Sequence, residues 1–283
     1  MSPRFSGKVA IVTGSSNGIG RATALLFAEE GASVTITGRS QKSLDETQDL
    51  LVAAGVKPES ILQVQGDLVD ETVHKKLIDE TVKKFGKIDI LVNNAGGVPD
   101  MQGQEFGFAI GLDKFDYTIN LNLKVALSLT RLAVDHLEKT KGEVINVSSI
   151  AAHPWASPTM PYYAVAKAGL DQLTRCMAGE FIKKGIRVNS VNPGLIHTAI
   201  MQKQGVTDEI QKAIEDAYAQ PKFIPLGRVG QAKEIADLIG YLADRAKSEY
   251  IIGQCLTIDG GASLLNPMMQ GFTDGAMGDL FKK

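Results

Sequence analysis

Short runs of apolar and β-branched residues alternate along the chain with longer segments in which apolar residues recur at helical spacing. The short runs, which predict strands, are KVAIVT (8–13), SVTIT (33–37), ILQVQ (61–65), IDILVN (88–93), GEVINVS (142–148), IRVNSV (186–191) and QCLTI (254–258). The intervening segments, such as RATALLFAEEGA and LDETQDLLVAAG, carry glycine at their ends, as helices commonly do. This alternation predicts an α/β fold in which helices cover both faces of a parallel sheet.

Two further features of the pattern concern organisation. The strands contain continuous apolar stretches such as AIVT and ILVN, which are typical of strands buried on both faces. The chain has no linker, repeat or low-complexity tract, so residues 1–283 are expected to form one domain. Residues 195–228 make an unusually long connection, which predicts a lid or binding loop. The tail 264–283 lacks periodicity, and it either packs on another subunit or frays.

Composition narrows the class of protein. Hydrophobic residues make up 44% and charged residues 22%, and the net charge is −2, which favours neither a nucleic-acid nor an anionic-membrane partner. No apolar run is long enough to span a bilayer, and the start MSPRFSGKVAIVTG lacks a secretory leader. The cysteines, Cys176 and Cys255, form no CxxC motif and are expected to be free thiols. A soluble cytoplasmic protein is predicted.

The first candidate chemistry is the glycine-rich stretch TGSSNGIG (13–20), between the first strand and a helix. Gly14, Gly18 and Gly20 stand where the backbone must turn sharply and approach a ligand closely. The N–H groups at the start of the helix would bind a phosphate. Glycine serves plain turns too, but the position between a strand and a helix favours a dinucleotide cofactor.

The spacing GxxxGxG and a series of further motifs resemble those of the short-chain dehydrogenase/reductase family. The motifs are GD (66–67), NNAG (93–96), NLNL (120–123), VSS (147–149), YAVAK (163–167), NPGLIHT (192–198) and DGG (259–261). Most are weak alone, but in this order they are highly specific. The resemblance implies a doubly wound parallel sheet of seven strands in the order 3-2-1-4-5-6-7, and a homotetramer.

The end of the second strand bears on the choice of nicotinamide cofactor. NAD enzymes commonly place an acidic residue there to hold the ribose 2′-hydroxyl. This chain has Gly38, Arg39 and Ser40 instead, and a guanidinium suits a 2′-phosphate. NADP(H) is therefore predicted over NAD(H). The alternative is that Arg39 is solvated or stacks on the adenine of either cofactor.

Several other residues are assigned to the cofactor by the resemblance. Asp67 would accept a hydrogen bond from the adenine amino group; the alternative is that it caps the following helix. Asn93 is expected to tie neighbouring strands together, while residues 94–96 flank the ribose. The predicted cofactor set is Gly14, Ser16, Asn17, Gly18, Ile19, Gly20, Arg39, Ser40, Asp67, Leu68, Asn94, Ala95, Gly96, Tyr163, Lys167, Pro193, Gly194, Ile196 and Thr198.

The motif NPGLIHT is expected to lie against the nicotinamide. Pro193 and Gly194 would shape the turn, and Ile196 and Thr198 would meet the carboxamide or a phosphate; Pro-Gly could also simply end the strand. His197 is expected at the rim of the pocket. The other histidines, His74, His136 and His153, show no metal-ligand spacing, and no metal is predicted.

Tyr163 and Lys167 are four residues apart, so one helical face brings them together as a surface pair or as an acid–base device. The resemblance implies that Tyr163 is the general acid and that Lys167 lowers its pKa and holds the nicotinamide ribose. Tyr162 is the weaker alternative, because the lysine four residues on belongs to Tyr163. A phenol without such a cation would be poorly matched to alcohol oxidation.

Two more polar residues complete the expected catalytic set. The resemblance places Ser149, rather than Ser148, against the substrate carbonyl. It likewise favours Asn122 over Asn120 as the residue that bends its helix and holds a water connecting Lys167 to solvent. A buried amide that satisfies backbone groups is the plainer interpretation of either asparagine.

These features predict a metal-free NADP(H)-dependent carbonyl reductase or alcohol dehydrogenase. Alternatives are a 3-oxoacyl thioester reductase, an enoyl thioester reductase, which normally has a wider Tyr-to-Lys spacing, and a catalytically silent NADP-binding or scaffold protein. The residues expected to wall the pocket are apolar, which predicts an apolar substrate. They include Trp155, Met160, Ile200, Met201 and Phe223.

Overall fold

The computed structural model describes residues 3–98, 107–154, 157–198 and 207–265. Its centre is a parallel sheet whose strands are β1 (Val9–Val12), β2 (Ser33–Gly38), β3 (Ile61–Gln65), β4 (Ile90–Asn93), β5 (Glu143–Val147), β6 (Arg187–Pro193) and β7 (Cys255–Ile258). The strand order is 3-2-1-4-5-6-7, and every neighbouring pair is parallel. The predicted fold class and all the predicted strands are therefore confirmed.

Helices connect these strands. They are α1 (Gly18–Glu29), α2 (Gln41–Ala53), α3 (Glu71–Phe85), α4 (Leu112–Ile119), α5 (Val125–Thr140), α6 (Pro161–Phe181), α7 (Asp208–Tyr218), α8 (Ala232–Ala243) and α9 (Arg245–Ser248). A π-helical turn, Asn120–Lys124, joins α4 to α5. Two short strands, Ile196–His197 and Gly230–Gln231, pair outside the main sheet.

The sheet separates two hydrophobic cores, which explains why its strands are apolar without alternation. In β1, Ala10 and Val12 face one core, and Ile11 faces the other. The first core includes Phe27, and the second includes Leu129. A strand covered by helices on both faces needs apolar residues at every position.

The strand register brings several chain segments to one edge of the sheet. Val12 of β1 lies opposite Val92 of β4, and Val147 of β5 lies opposite Val191 of β6. The loops that leave the carboxyl ends of these strands therefore meet. Asn93 donates its side-chain amide to Asn146 over 2.9 Å, so it ties β4 to β5 as expected.

The long connection 195–228 contains helix α7, which was not predicted. Thr207 caps it, accepting a hydrogen bond from the Ile210 N–H, and Asp208 and Glu209 follow in the first turn. This start signal was present in the sequence. Residues 266–283, most of the irregular tail, lie outside the described residues. Within the described part, none of the helices is both long and apolar enough to cross a membrane.

Candidate active site

The glycine-rich loop closes tightly over the carboxyl end of β1. Gly14 and Gly18 have φ angles of +63° and +54°, which favour glycine. A Cβ on Gly20 would lie 2.4 Å from the carbonyl oxygen of Gly14, so only glycine lets α1 approach the loop. The Asn17 side chain makes no capping hydrogen bond, which leaves the first N–H groups of α1 available to an anionic ligand. This geometry fits a cofactor phosphate.

A cavity of about 1080 Å³ extends along this edge of the sheet. Every residue of the predicted cofactor set except Gly20 lines it, and so does Ser149. Gly20 packs behind the loop instead. The volume lies at the upper end of the range usual for small-molecule sites, as an extended dinucleotide with a substrate would need.

The end of β2 borders the part of the cavity expected to hold the adenosine. Arg39 is exposed, and in the described ranges its guanidinium makes no ion pair or hydrogen bond. Ser40 caps α2 by accepting a hydrogen bond from Ser43 N. Asp67 accepts a bond from Val69 N over 3.1 Å and is not the helix cap, because Asp70 caps α3. Thus Asp67 and Arg39 are both placed to meet a ligand.

Asn94 clamps the glycine-rich loop from the side of β4. Its side-chain amide donates to the carbonyl oxygens of Thr13 and Gly14 over 2.7 and 3.2 Å. Its backbone N–H donates to the Thr13 hydroxyl. Sequence reasoning gave Asn94 only to the cofactor, but its side chain also fixes the shape of the loop.

The two adjacent tyrosines of α6 have different surroundings. Tyr163 lines the cavity together with Ser149, whose hydroxyl acts to lower the pKa of the phenol. Tyr162 donates its hydroxyl to the Ile110 carbonyl over 2.8 Å and packs edge-on against Phe115. Tyr163 is therefore the tyrosine placed to meet a substrate. Ser148 also lines the cavity, but its hydroxyl donates to the Lys167 carbonyl over 3.2 Å.

Lys167 is buried, with 3% of its surface exposed, and its ammonium donates to the Val147 carbonyl over 2.8 Å. The same nitrogen lies 5.5 Å from the centre of the Tyr163 ring. Burial lowers the pKa of Lys167 to about 8, although the charge of Asp171 acts to raise it.

The net shift of the Tyr163 pKa is opposite to the expected lowering. Burial raises the pKa of Tyr163 above its ordinary value and outweighs the Ser149 hydroxyl, which acts to lower it. The ammonium points at a strand carbonyl beside the ring rather than at the phenolic oxygen.

Asn122 sits in the π-helical turn and ties it to the strand-end loop after β4. Its amide nitrogen donates to the carbonyl oxygens of Gly97 and Thr118 over 2.8 and 2.9 Å, and its oxygen accepts from Gly97 N over 2.9 Å. A Cβ on Gly96 would lie 2.8 Å from the Asn122 oxygen and 3.2 Å from the Lys167 nitrogen. Asn122 and Lys167 therefore converge on Gly96.

The alternative asparagine has a different place. Asn120 is 3.5 Å from the carbonyl of Val69, and among the described residues no hydrogen bond joins it to Lys167. The interruption of the helix at NLNL is thus present, and Asn122 is the member that approaches Lys167, across Gly96.

The motif after β6 is held by β7 and the DGG segment. Gly194 N donates to the Ile258 carbonyl over 3.0 Å, and a Cβ on Gly194 would lie 2.7 Å from Asp259 Cβ. His197 is largely exposed, and its Nδ1 lies 2.8 Å from Glu215. It borders a smaller cavity of about 340 Å³ that shares Asn17, Gly18 and Thr198 with the large one, and it does not line the large cavity itself.

Sequence reasoning missed one wall of the large cavity. Asp113, Lys114, Tyr117 and Leu121, from α4 and the π-helical turn, line it. Positions 113, 117 and 121 recur at intervals of four and lead into the NLNL motif, and this spacing was the available signal.

The predicted apolar walls are only partly placed. Met160 lines the large cavity, but Phe223 does not; its ring lies 5.5 Å from that of Tyr218. Trp155, Ile200 and Met201 lie outside the described residues. The cavity wall that the structure describes is therefore mixed, because charged side chains of α4 stand beside apolar ones.

Comparison with known proteins places the chain among enzymes. Residues 14–263 match the model of a family described as enoyl-(acyl carrier protein) reductase. The chain is similar to a protein of Thermotoga maritima named 3-oxoacyl-[acyl-carrier-protein] reductase FabG. The two are 37% identical over 259 residues, which cover 91% of this chain and 98% of that protein.

Solved structures from Caenorhabditis elegans are similar as well. A short-chain dehydrogenase/reductase of unknown function, crystallised with cofactor, has a TM-score of 0.92 and 46% identity, covering 94% of this chain and 99% of that one. The apo form of a glucose dehydrogenase has a TM-score of 0.78 and 46% identity, covering 92% and 99%. The chain belongs to the short-chain dehydrogenase/reductase family, and it is an oxidoreductase that uses a nicotinamide cofactor.

Proposed function

We propose that this protein is an NADP(H)-dependent oxidoreductase that interconverts a carbonyl and a secondary alcohol, with Tyr163 as general acid and base. The observation that carries the proposal is that Ser149, Tyr163 and Lys167 line the same cavity as the glycine-rich loop. A protein that only binds the nucleotide needs no serine and phenol beside a buried ammonium.

In the direction of reduction, NADPH held by the glycine-rich loop would supply the hydride for the carbonyl carbon. Ser149 donates a hydrogen bond to the carbonyl oxygen, and Tyr163 transfers its phenolic proton to that oxygen. The raised pKa keeps Tyr163 protonated at neutral pH, which suits a proton donor. Oxidation of the alcohol needs the phenolate, so the reverse reaction should gain from higher pH.

Lys167 and Asn122 are proposed to assist the proton transfer from Tyr163. Lys167 would hold the nicotinamide ribose, and its charge would stabilise the phenolate that Tyr163 becomes. Asn122, which meets Lys167 at Gly96, would hold the water that replaces the donated proton. This role is compatible with the hydrogen bonds that the Asn122 side-chain amide donates to Gly97 and Thr118, because they fix the position of Asn122 in the helix.

The preference for NADP(H) rests on Arg39. No carboxylate ends β2, and the Arg39 side chain borders the cavity without a protein partner in the described ranges. Arg39→Ala should raise the KM for NADPH by roughly tenfold, equivalent to about 1.4 kcal/mol, and leave that for NADH nearly unchanged. Lys42→Ala removes a neighbouring exposed cation outside the cavity and serves as the matched control. Equal effects of Arg39→Ala on the two cofactors would contradict the assignment.

The substrate is proposed to be apolar where it meets Met160, Leu121 and Leu195, which line the cavity together with the charged Asp113 and Lys114. A 3-oxoacyl thioester is the second candidate, and the similarity to the Thermotoga maritima reductase favours it. An enoyl thioester is less compatible, because the Tyr-to-Lys spacing is that of YAVAK.

The test is NADPH consumption with a panel of ketones, diketones, quinones and a 3-oxoacyl thioester. Tyr163→Phe should abolish turnover with the best substrate while NADPH still binds. Tyr162→Phe is the matched control, because that hydroxyl bonds to Ile110 outside the cavity, and it should remain active. Near-full activity of Tyr163→Phe would refute the assignment of the acid. Absence of turnover by the wild type with every carbonyl would favour the silent NADP-binding alternative.

The proposal also includes a single domain, a homotetramer and a cytoplasmic location, as the sequence and its resemblance imply. Light scattering of the purified chain tests the tetramer, and fractionation of the source cells tests the location.

A further inference from the structure

A second buried charge lies behind the catalytic group. Asp171 follows Lys167 by one turn of α6, on the face that begins with Tyr163. Asp171 and Lys167 are 7% and 3% exposed. A carboxylate this buried is destabilising unless hydrogen bonds or an opposite charge compensate it.

The Asp171 carboxylate is connected to the catalytic serine by a single amide. One of its oxygens accepts a hydrogen bond from Asn192 Nδ2 over 2.7 Å, and the other lies 3.4 Å from the Ser190 hydroxyl. Asn192 Nδ2 also donates to the Ser149 carbonyl over 3.1 Å. The segment that carries the Ser149 hydroxyl is thereby anchored to α6.

The same carboxylate acts on the charge of Lys167. In the described part of the chain, neither Asp171 nor Lys167 forms a contact ion pair. The two side chains share one face of α6, so the charge of each acts on the other. Asp171 acts to raise the pKa of Lys167, against the larger lowering by burial. The charge of Asp171 therefore favours the protonated form of Lys167.

Few other titratable or charged groups face this pair. Tyr163 lies beside Lys167 on α6. From β7, the Cys255 thiol lies 3.7 Å from the Asp171 carbonyl; burial, then the charge of Asp171, raises its pKa to about 12, so it stays neutral. Arg175 follows Asp171 by one turn and is exposed. Among the described groups that face this pair, Asp171 is therefore the one whose negative charge compensates the positive charge of Lys167.

We propose that Asp171 is a positioning residue for the active site, which keeps Lys167 protonated by its charge and holds Ser149 in place through Asn192. The inference rests on the proposed roles of Lys167 and Ser149. Its two effects are separable, because one depends on charge and the other on the hydrogen bond of Asn192.

The test is an NMR titration of isotope-labelled lysine side chains in the full chain. The Lys167 signal is identified by its loss in Lys167→Arg. Asp171→Asn should lower the pKa of Lys167 by about one pH unit, since it removes the opposite charge at nearly constant size. The alkaline limb of the kcat profile should move by the same amount. Asp171→Glu restores the charge and should return both values toward the wild type.

Two controls separate charge from structure. Asn192→Ala keeps the Asp171 charge, so kcat should fall through Ser149 while the pKa of Lys167 does not decrease. Glu180→Gln removes an exposed charge from the same helix and should change neither value.

An unchanged pKa of Lys167 in Asp171→Asn would overturn the proposal; if that variant does not fold, Asp171→Ser removes the same charge and decides the matter in the same way. The titration needs no turnover. A shifted pKa in an enzyme that reduces no carbonyl would therefore uphold the coupling of Asp171 to Lys167 and refute the proposed function.

Discussion

The two ends of β5 and β6 both bury charges, but they treat them differently. At the amino end, Glu143 lies opposite Arg187 in the sheet register, and their side chains form an ion pair of 2.9 Å. Arg245 adds a second ion pair to Glu143 over 2.8 Å. Arg187 also donates to the carbonyl oxygens of Ser248 and Leu242. Each charge of this network meets an opposite charge or a backbone carbonyl, although the Nε–H of Arg187 makes no aligned hydrogen bond.

At the carboxyl end, the hydrogen-bond partner of Lys167 within the described ranges is one backbone carbonyl, and the side chain faces the large cavity. Burial perturbs both ends. It raises the pKa of Glu143 to about 7 and lowers that of Lys167 to about 8. A perturbed pKa therefore does not distinguish a structural site from a functional one. What distinguishes the functional site is that its buried charge has access to a cavity and is incompletely compensated.

The largest effect is expected at the carboxyl end. Lys167→Met should reduce turnover about ten-thousandfold, since the variant loses the cation beside Tyr163 and the expected hold on the ribose. The free energy of unfolding should not fall, because an apolar side chain replaces a buried ammonium that lacks a contact ion pair. Steady-state kinetics and urea unfolding check the two halves. A variant that is active but unstable would make Lys167 a structural residue.

At the amino end the effects should be reversed. Glu143→Met leaves Arg187 buried without its carboxylate, and an arginine cannot lose its proton to relieve the burial. The free energy of unfolding should fall by about 3–5 kcal/mol, with turnover per folded molecule retained. Asp237→Met breaks an exposed pair with Lys233 and should change stability by less than about 1 kcal/mol. Loss of activity in folded Glu143→Met would contradict the assignment of the amino end as purely structural.

Arg245→Met should have a smaller effect on stability. Its side chain is 32% exposed, and Glu143 keeps its ion pair with Arg187 when Arg245 is removed. Two carbonyl oxygens, of Lys141 and Gly185, lose a donor but can turn to water. A decrease of about 1–2 kcal/mol in urea unfolding is expected. A decrease as large as that of Glu143→Met would show that the network does not depend on burial.

The smallest signals should come from pH, with opposite signs at the two ends. The folded pKa of Glu143, about 7, exceeds its reference of 4.5, so its contribution to stability is complete below the reference and is lost as the pH rises through 7. The folded pKa of Lys167, about 8, is below its reference of 10.5, so stability should increase between these values. Each slope is at most about 1.4 kcal/mol per pH unit. Glu143→Gln and Lys167→Met should each flatten only their own window in stability measured across pH.

Spacing in the sequence predicted the sheet, the glycine-rich loop and the shared face of Tyr163 and Lys167, because these depend on local periodicity. It did not predict the pKa of Tyr163, which depends on how deeply packing buries the phenol. Helix α7 was missed although Thr207 and Asp208 gave a start signal. Asp171 continues the series 163, 167, 171, but its bond to Asn192 joins residues distant in sequence.

The central claim, that Tyr163 gives its proton as the hydride arrives, is tested most directly by isotope effects in a single turnover. NADPH deuterated at the transferred position is compared with ordinary NADPH, in H₂O and in D₂O. We predict that the step slowed by the deuterated cofactor is also slowed by D₂O in the wild type. A cofactor isotope effect without any solvent effect on the same step would contradict proton transfer from the phenol.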